Sequence, residues 1–396
     1  MNRVVVIGAG VLGACVTYHL ARAGAHVVVV ERASEPAAGT SGATFAADVT
    51  HLKTPYAYYR LNRQGSDGHL RLADELGGPQ WRHPAALVQW AAGDADRRAL
   101  REKALRARKW GHDCRIAPAS VLRDLAPAVD PAACVADEVV VHGSAAWFDA
   151  PRFVRALLDA AVRHGGVETH YGTPVTGLLT SGARVTGVEA GERTWHADVV
   201  VNCAGPGADQ VAALAGARLP MRRVPGLIAV SRPLPGRPLT AILAAPGIDL
   251  RPTADGGVLA LSWEIDARLR GAVDGLPQEL HRRARALVPG VGRVRIADAR
   301  IGVRPVPSDG LPLMGPMAQV PGLYHLVSHS AVTLAPVLGR FAAQEITGGP
   351  PVPDLAGYRP DRPIADSVHD ENLRAMNRHS RHGDQNGRRP KSQAEI

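Results

Sequence analysis

Val4-Val5-Val6-Ile7 and Val27-Val28-Val29-Val30 are continuous apolar runs. Between them Leu12, Cys15, Val16, Leu20 and Ala23 recur at three-and-four spacing. The pattern predicts a buried strand, a helix over residues 11–23 and a second buried strand. Strands that are apolar throughout belong to parallel sheets covered on both faces. Gly8-Ala9-Gly10 supplies the turn into the helix, and Gly24 suits its C-terminal cap.

Further along, the spacing predicts a helix over 55–76, a strand over 81–90 and a charged helix over 94–111. Asp149 is a natural N-cap, with Pro151 just inside, for a helix running to His164. Short strands over 175–179, 185–190 and 194–197 alternate with turns. Val199-Val200-Val201 then reads as another buried parallel strand, closed by Cys203-Ala204-Gly205. A strand-rich region follows from Met221 to Leu261, and a helix over 277–287. Strands over 300–304 and 324–328 and a helix over 333–346 complete the pattern.

Strands of the nucleotide-binding kind therefore occur at both ends and in the middle. The expected fold class is α/β with an α+β second domain. A Rossmann-like cofactor domain (1–80, 140–215 and 300–360) is interleaved with a substrate domain on a mainly antiparallel sheet (81–139 and 216–299). Residues 361–396 form a polar tail whose end, from Arg378, is expected to be disordered. A chain of 396 residues is long enough for two such domains.

Composition narrows the picture. The net charge of +9 comes mostly from arginine, since lysine occurs only at 53, 103, 109 and 391. The arginines fall on apparent helix faces such as 97–103, and aromatics make up only 4% of the chain. That combination speaks against a nucleic-acid surface. No segment is apolar enough to span a bilayer, and no signal peptide is expected before the first strand. Cys15, Cys114, Cys134 and Cys203 show no metal-ligand spacing. A cytoplasmic location with reduced thiols and no metal is expected.

The chemistry begins at the first turn. Gly8 permits the tight turn, Gly10 lets backbone approach a pyrophosphate, and Gly13 lets the helix pack closely on the sheet. The helix N-terminus, with Val11 and Leu12, offers N–H groups and a positive dipole end to phosphate. Glu31 suits the ribose hydroxyls of adenosine. Arg32 beside it would suit a 2′-phosphate, but the acid favours a free ribose. The interleaved strands point beyond a simple nicotinamide enzyme to a larger, flavin-type cofactor.

Taken together, the motifs resemble the D-amino-acid oxidase superfamily of flavoproteins, which includes glycine oxidase, sarcosine oxidase and D-amino-acid dehydrogenases. Separate blocks carry the resemblance: Gly8 to Glu31, Gly39-Thr40-Ser41-Gly42-Ala43, Val199 to Pro206, and Gly302-Val303-Arg304-Pro305 with Asp309-Gly310-Leu311-Pro312, Gly315 and His329 to Pro336. The resemblance implies FAD, held non-covalently, since Val303 stands near the place of the cysteine that links flavin in sarcosine oxidase. It implies a cofactor-binding set of Gly8, Gly10, Val11, Leu12, Gly13, Glu31, Arg32, Thr40, Ser41, Val175, Ala204, Gly205, Arg304, Ala331, Val332 and Thr333. Thr40 and Ser41 are equally suited to capping a helix. Ala331 replaces a glycine usual in the family.

For catalysis the resemblance singles out Arg304, whose planar guanidinium suits a substrate carboxylate. Lys53, next to His51 after the second block, and His329 are the other catalytic candidates. The implied reaction is oxidation of the C–N bond of an amino acid or N-substituted amino acid by hydride transfer to flavin N5, giving an imine. Expected partners are a small amine or amino-acid substrate and oxygen or another electron acceptor; oligomerisation is left open. The competing readings are an NAD-dependent dehydrogenase and a non-catalytic FAD-binding subunit of a multi-component dehydrogenase.

Overall fold

The computed structural model describes residues 2–78, 81–236, 239–269 and 273–364. The polar tail expected to end in disorder lies outside the described residues from 365 onward. The chain divides into two compact units. Among the described residues the first comprises 2–78, 81–85, 144–228 and 299–364; the second comprises 86–143, 229–236, 239–269 and 273–298. The strands Met221–Ser231 and Ile296–Pro307 carry the chain from one unit into the other.

In the first unit β1 (Arg3–Ile7), α1 (Val11–Arg22), β2 (His26–Val30) and α2 (Tyr56–Glu75) follow in order. Then come α3 (Ala150–His164), β3 (Val167–His170), β4 (Val199–Asn202), β5 (Leu313–Met317), β6 (Val320–Val327) and α4 (Ala331–Ile346). The sheet order is β5-β6-β4-β1-β2-β3. Every neighbour pair is parallel except β5 with β6. Val4 pairs with Val27 on one side and with Val199 on the other.

Alternation along β1 explains why its run is apolar throughout. Val4 and Val6 join a core built with α1, α2, α3 and α4. Val5 and Ile7 join a second core on the opposite face, with Val185 and Val188. Those two valines belong to a three-stranded antiparallel sheet of Gly177–Ser181, Arg184–Ala190 and Arg193–His196. The helix boundaries follow the signals in the chain. Asp149 accepts a hydrogen bond from the Arg152 N–H at 3.0 Å, capping α3.

In the second unit the strand order is Val258–Leu261, Ile248–Pro252, Ile242–Ala245, Leu87–Gln89, Glu138–His142 and Cys114–Pro118. All these pairs are antiparallel except Ile242–Ala245 with Leu87–Gln89. The charged helix Asp94–Lys109 lays Leu100, Ala104 and Ala107 on Cys114 and Val140. The strand expected over 81–90 is two short strands, Arg82–Pro84 and Leu87–Gln89. Pro84 lacks the N–H that would continue a ladder, and the chain changes unit at residue 85.

Candidate functional site

The turn from β1 to α1 is shaped by what its glycines leave out. Gly8 has φ +104°, and a Cβ there would lie 2.6 Å from the Cys203 carbonyl oxygen at the end of β4. A Cβ on Gly13 would lie 1.9 Å from the Gly8 carbonyl oxygen. No larger residue fits either place without moving backbone. Glu31 closes the turn from β2. Its carboxylate accepts the Ala9 N–H at 2.7 Å and the Ala33 N–H at 2.8 Å.

The 39–44 loop is tied to the turn by side chains. Gly10 stands at the N-cap of α1 and has no side chain to cap it. The Ser41 hydroxyl takes that place and accepts the Val11 N–H at 3.1 Å. Thr40 donates to the Val303 carbonyl at 2.6 Å, which binds the loop to the strand Ile296–Pro307. A cavity of about 580 Å³ opens between these segments. Gly8, Gly10, Glu31, Arg32, Thr40, Ser41, Val175, Ala204 and Gly205 are among the residues that line it. A smaller cavity of about 80 Å³ shares Gly10, Thr40, Ser41 and Gly205, adds Val11 and Leu12, and continues to His329, Ala331 and Val332. The two cavities thus lead from the acid on β2 to the first turn of α4.

Lys53 anchors the start of α4. Its Nζ donates to the hydroxyl of Ser330, the N-cap of α4, at 2.7 Å, and lies 5.9 Å from the centre of the Tyr58 ring. Only 3% of Lys53 is exposed. Burial pushes its pKa down to about 8, against the pull of the Asp48 carboxylate. Asp48 in turn accepts from the Thr50 N–H, the Thr50 hydroxyl and the Ser66 hydroxyl. The adjacent His329 has its pKa pushed down to about 3, first by burial and then by the charges of Lys53 and Arg304. It is therefore neutral at pH 7.

The structure brings Lys53 and Arg304 each within electrostatic reach of His329. Arg304 lies between Val303, which lines the larger cavity, and Pro305, which lines the smaller. Its Nη1 donates to the Pro225 carbonyl at 3.0 Å, and its guanidinium covers Gly226, where a Cβ would meet it at 2.4 Å. Thr333, also in the first turn of α4, is buried with 5% exposed.

Some residues that shape the site escaped the sequence reading. Asn202 ends β4; its Nδ2 donates to the Ala208 carbonyl at 2.8 Å, and its Oδ1 accepts the Ala204 N–H at 3.3 Å. It thereby fixes the 203–205 turn from below. An asparagine just before a glycine turn is a local signal for this role. His325 on β6 lies 3.2 Å from Asn202 Nδ2, and burial lowers its pKa to about 4. His69 of α2 is fully buried and reaches the Val332 carbonyl at 2.8 Å. Periodicity marks His69 only as a core position.

The family model "DAO: FAD dependent oxidoreductase" matches residues 3–345. Glycine oxidase of Pseudomonas aeruginosa is 28% identical over 368 residues, covering 91% of this chain and 98% of that protein. D-amino acid dehydrogenase 2 of Pseudomonas aeruginosa is 28% identical over 424 residues, covering 92% and 99%. Among solved structures, glycine oxidase from Geobacillus kaustophilus shares the fold with a TM-score of 0.81. It is 22% identical and covers 92% of this chain and 100% of that one.

Proposed function

The chain belongs to the DAO family of FAD-dependent oxidoreductases, and we propose that it oxidises the C–N bond of an amino acid or N-substituted amino acid to an imine. The residues of the first unit fit FAD. Gly8 and Gly10 line the larger cavity beside a helix N-terminus. The acid Glu31 lines the larger cavity, and Ala331 and Val332, at a second helix N-terminus, line the smaller one, which shares residues with it. Cys203 lines both cavities, but burial raises its pKa and keeps the thiol protonated, which supports non-covalent binding. FAD, when bound, would supply a two-electron acceptor for the substrate hydride.

The observation that carries the reading is the placement of two cations: Lys53 is buried on Ser330 at the start of α4, and Arg304 sits between the cavity-lining Val303 and Pro305. A local positive field of this kind suits a carboxylate and disfavours a protonated amine. Arg304 binds the substrate carboxylate, and its bond to Pro225 holds the guanidinium in a fixed plane. Lys53, at about pKa 8, holds a proton that it can share with Ser330 and adjusts the field as pH changes. The substrate loses a hydride from Cα and a proton from nitrogen; the imine then hydrolyses to a keto acid or aldehyde. Orientation between fixed groups supplies much of the acceleration.

The test is the visible spectrum of the purified protein, followed by anaerobic titration with glycine, N-methylglycine and a panel of D- and L-amino acids. Bleaching of the flavin band by one of these classes is the expected result. A flavin reduced by hydroxy acids but by no amine overturns the reading. Reduction that requires a second added chain replaces it with the subunit reading.

A further inference from the structure

Pro336 sits inside α4, within its second turn. Proline has no N–H, so the helix bond from residue 336 back to the Val332 carbonyl cannot form. Val332 lines the smaller cavity, so this defect lies at the cofactor wall. The ring of His69, from the neighbouring helix α2, places Nε2 2.8 Å from that carbonyl oxygen.

The tautomer of His69 follows from its partners. The carbonyl can only accept, so Nε2 carries the hydrogen. On the other side the Trp81 indole N–H can only donate, and it points to His69 Nδ1 at 3.3 Å. One neutral tautomer satisfies both bonds, and burial lowers the His69 pKa to about 4. Phe148 stacks on the ring at 4.2 Å between centroids, and Phe153 packs at 4.7 Å. The same face of α2 is cut to fit the proline. A Cβ on Gly68 would lie 2.6 Å from Pro336 Cβ, and one on Gly65 would lie 2.3 Å from the Thr333 carbonyl oxygen.

We propose that His69 is a positioning residue for the flavin site, donating from α2 the hydrogen bond that Pro336 withholds and so holding the first turn of α4 in place. Trp81 sets the histidine, the histidine sets Val332, and the glycines of α2 let the two helices close. The amides of Ala331 to Thr333 keep one orientation toward the cofactor. This step rests on the reading that the start of α4 faces the flavin; it is independent of which amine is oxidised.

The experiment is a double-mutant cycle of His69→Leu with Pro336→Ala in the full chain. Alanine at 336 restores the N–H within the helix. The readouts are FAD affinity of the apoprotein and midpoint potential of the bound flavin. His69→Leu alone weakens FAD binding about tenfold, the worth of one buried hydrogen bond left unmade, and lowers the potential. In the Pro336→Ala background the same substitution has less than a third of that effect. His69→Gln, which offers both a donor and an acceptor, retains most of the wild-type affinity and covers the case in which His69→Leu does not fold. An equal His69→Leu effect in both backgrounds overturns the proline link. A His69→Leu protein of lower thermal stability but unchanged affinity and potential reduces His69 to a packing residue. An unchanged His69→Leu flavin alongside an inactive Arg304→Ala enzyme sinks this inference and leaves the amine reading standing.

Discussion

At the Glu31 end of the cavities the groups that shape the site are close in sequence and mostly backbone. Gly8, Ala9, Gly10, Gly13 and Glu31 make the turn, and the carboxylate of Glu31 holds the Ala9 and Ala33 N–H groups. At the α4 end they are side chains from distant segments: Lys53 on Ser330, His69 on Val332, and Arg304 acting on His329. A backbone site has little freedom to vary, because any added atom collides with main chain. A side-chain site can change its chemistry while the backbone stays put. The first end is suited to a constant part of the cofactor, and the second to tuning reactivity and choosing substrate.

The contrast predicts that the largest losses come from the glycine turn. Gly13→Ala places a Cβ against the Gly8 carbonyl, so helix or strand must shift, at a cost of about 3 kcal/mol. Denaturant unfolding should show that loss, and the purified protein should carry little flavin. A stable, yellow Gly13→Ala protein would show that the turn is less constrained than its geometry implies.

Next in size is Arg304→Ala. Removing the guanidinium should lower kcat/KM about 100-fold or more, the effect of deleting one partner of a desolvated ion pair. Flavin content should stay near wild type. Equal losses of flavin and of activity would instead place Arg304 in cofactor binding. Arg304→Lys should restore little, since an ammonium cannot offer the planar fork.

These two sites differ in how much of them the sequence displays. The β1–α1–β2 unit is legible because its period, glycine offsets and acid lie within one short segment. The α/β class follows from valine runs that the two faces of one sheet both bury. The α4 end is legible only through resemblance, at Arg304 and the 329–336 block. Lys53 stands out through the scarcity of lysine, but its bond to Ser330 joins residues 277 apart. His69 carries no local signal. A proline within an apolar helix pattern announces an unfilled carbonyl, yet nothing in the chain says which side chain fills it. Likewise 81–90 reads as one strand, and the break after Pro84 appears only once its halves join different sheets.

The α4 end also carries a pH dependence, through its buried titratable groups. The Lys53 pKa falls from 10.5 in the unfolded chain to about 8 in the fold. Between those values the unfolded state binds more protons, so the Lys53 contribution to stability rises with pH from about 8 to 10.5. Below pH 8 the buried charge costs about 3 kcal/mol relative to the neutral amine. Lys53→Met should therefore gain on wild type at pH 7 and lose most of that margin by pH 10, as read from paired denaturant curves. His329 acts at the other extreme. Its folded pKa of about 3 lies below 6.5, so its contribution is present above 6.5 and is lost as pH falls toward 3. A pH-independent difference between wild type and Lys53→Met would mean that Lys53 is not held as a buried charge.

The smallest effect is expected at Ser41, and it probes the boundary between the two kinds of site, because a side chain there serves a backbone turn. Ser41→Ala removes the acceptor for the Val11 N–H and should cost about 1 kcal/mol, as for a lost helix N-cap. Ser41→Asp keeps an acceptor and adds a negative charge at the positive end of α1, so the apoprotein should be at least as stable as wild type. That same charge lies in a cavity that must hold a pyrophosphate, so FAD affinity should fall more in Ser41→Asp than in Ser41→Ala. Apoprotein stability and FAD affinity then move in opposite directions at one residue. If both variants lose FAD equally, Ser41 acts only as the cap of α1, and the pyrophosphate lies away from its hydroxyl.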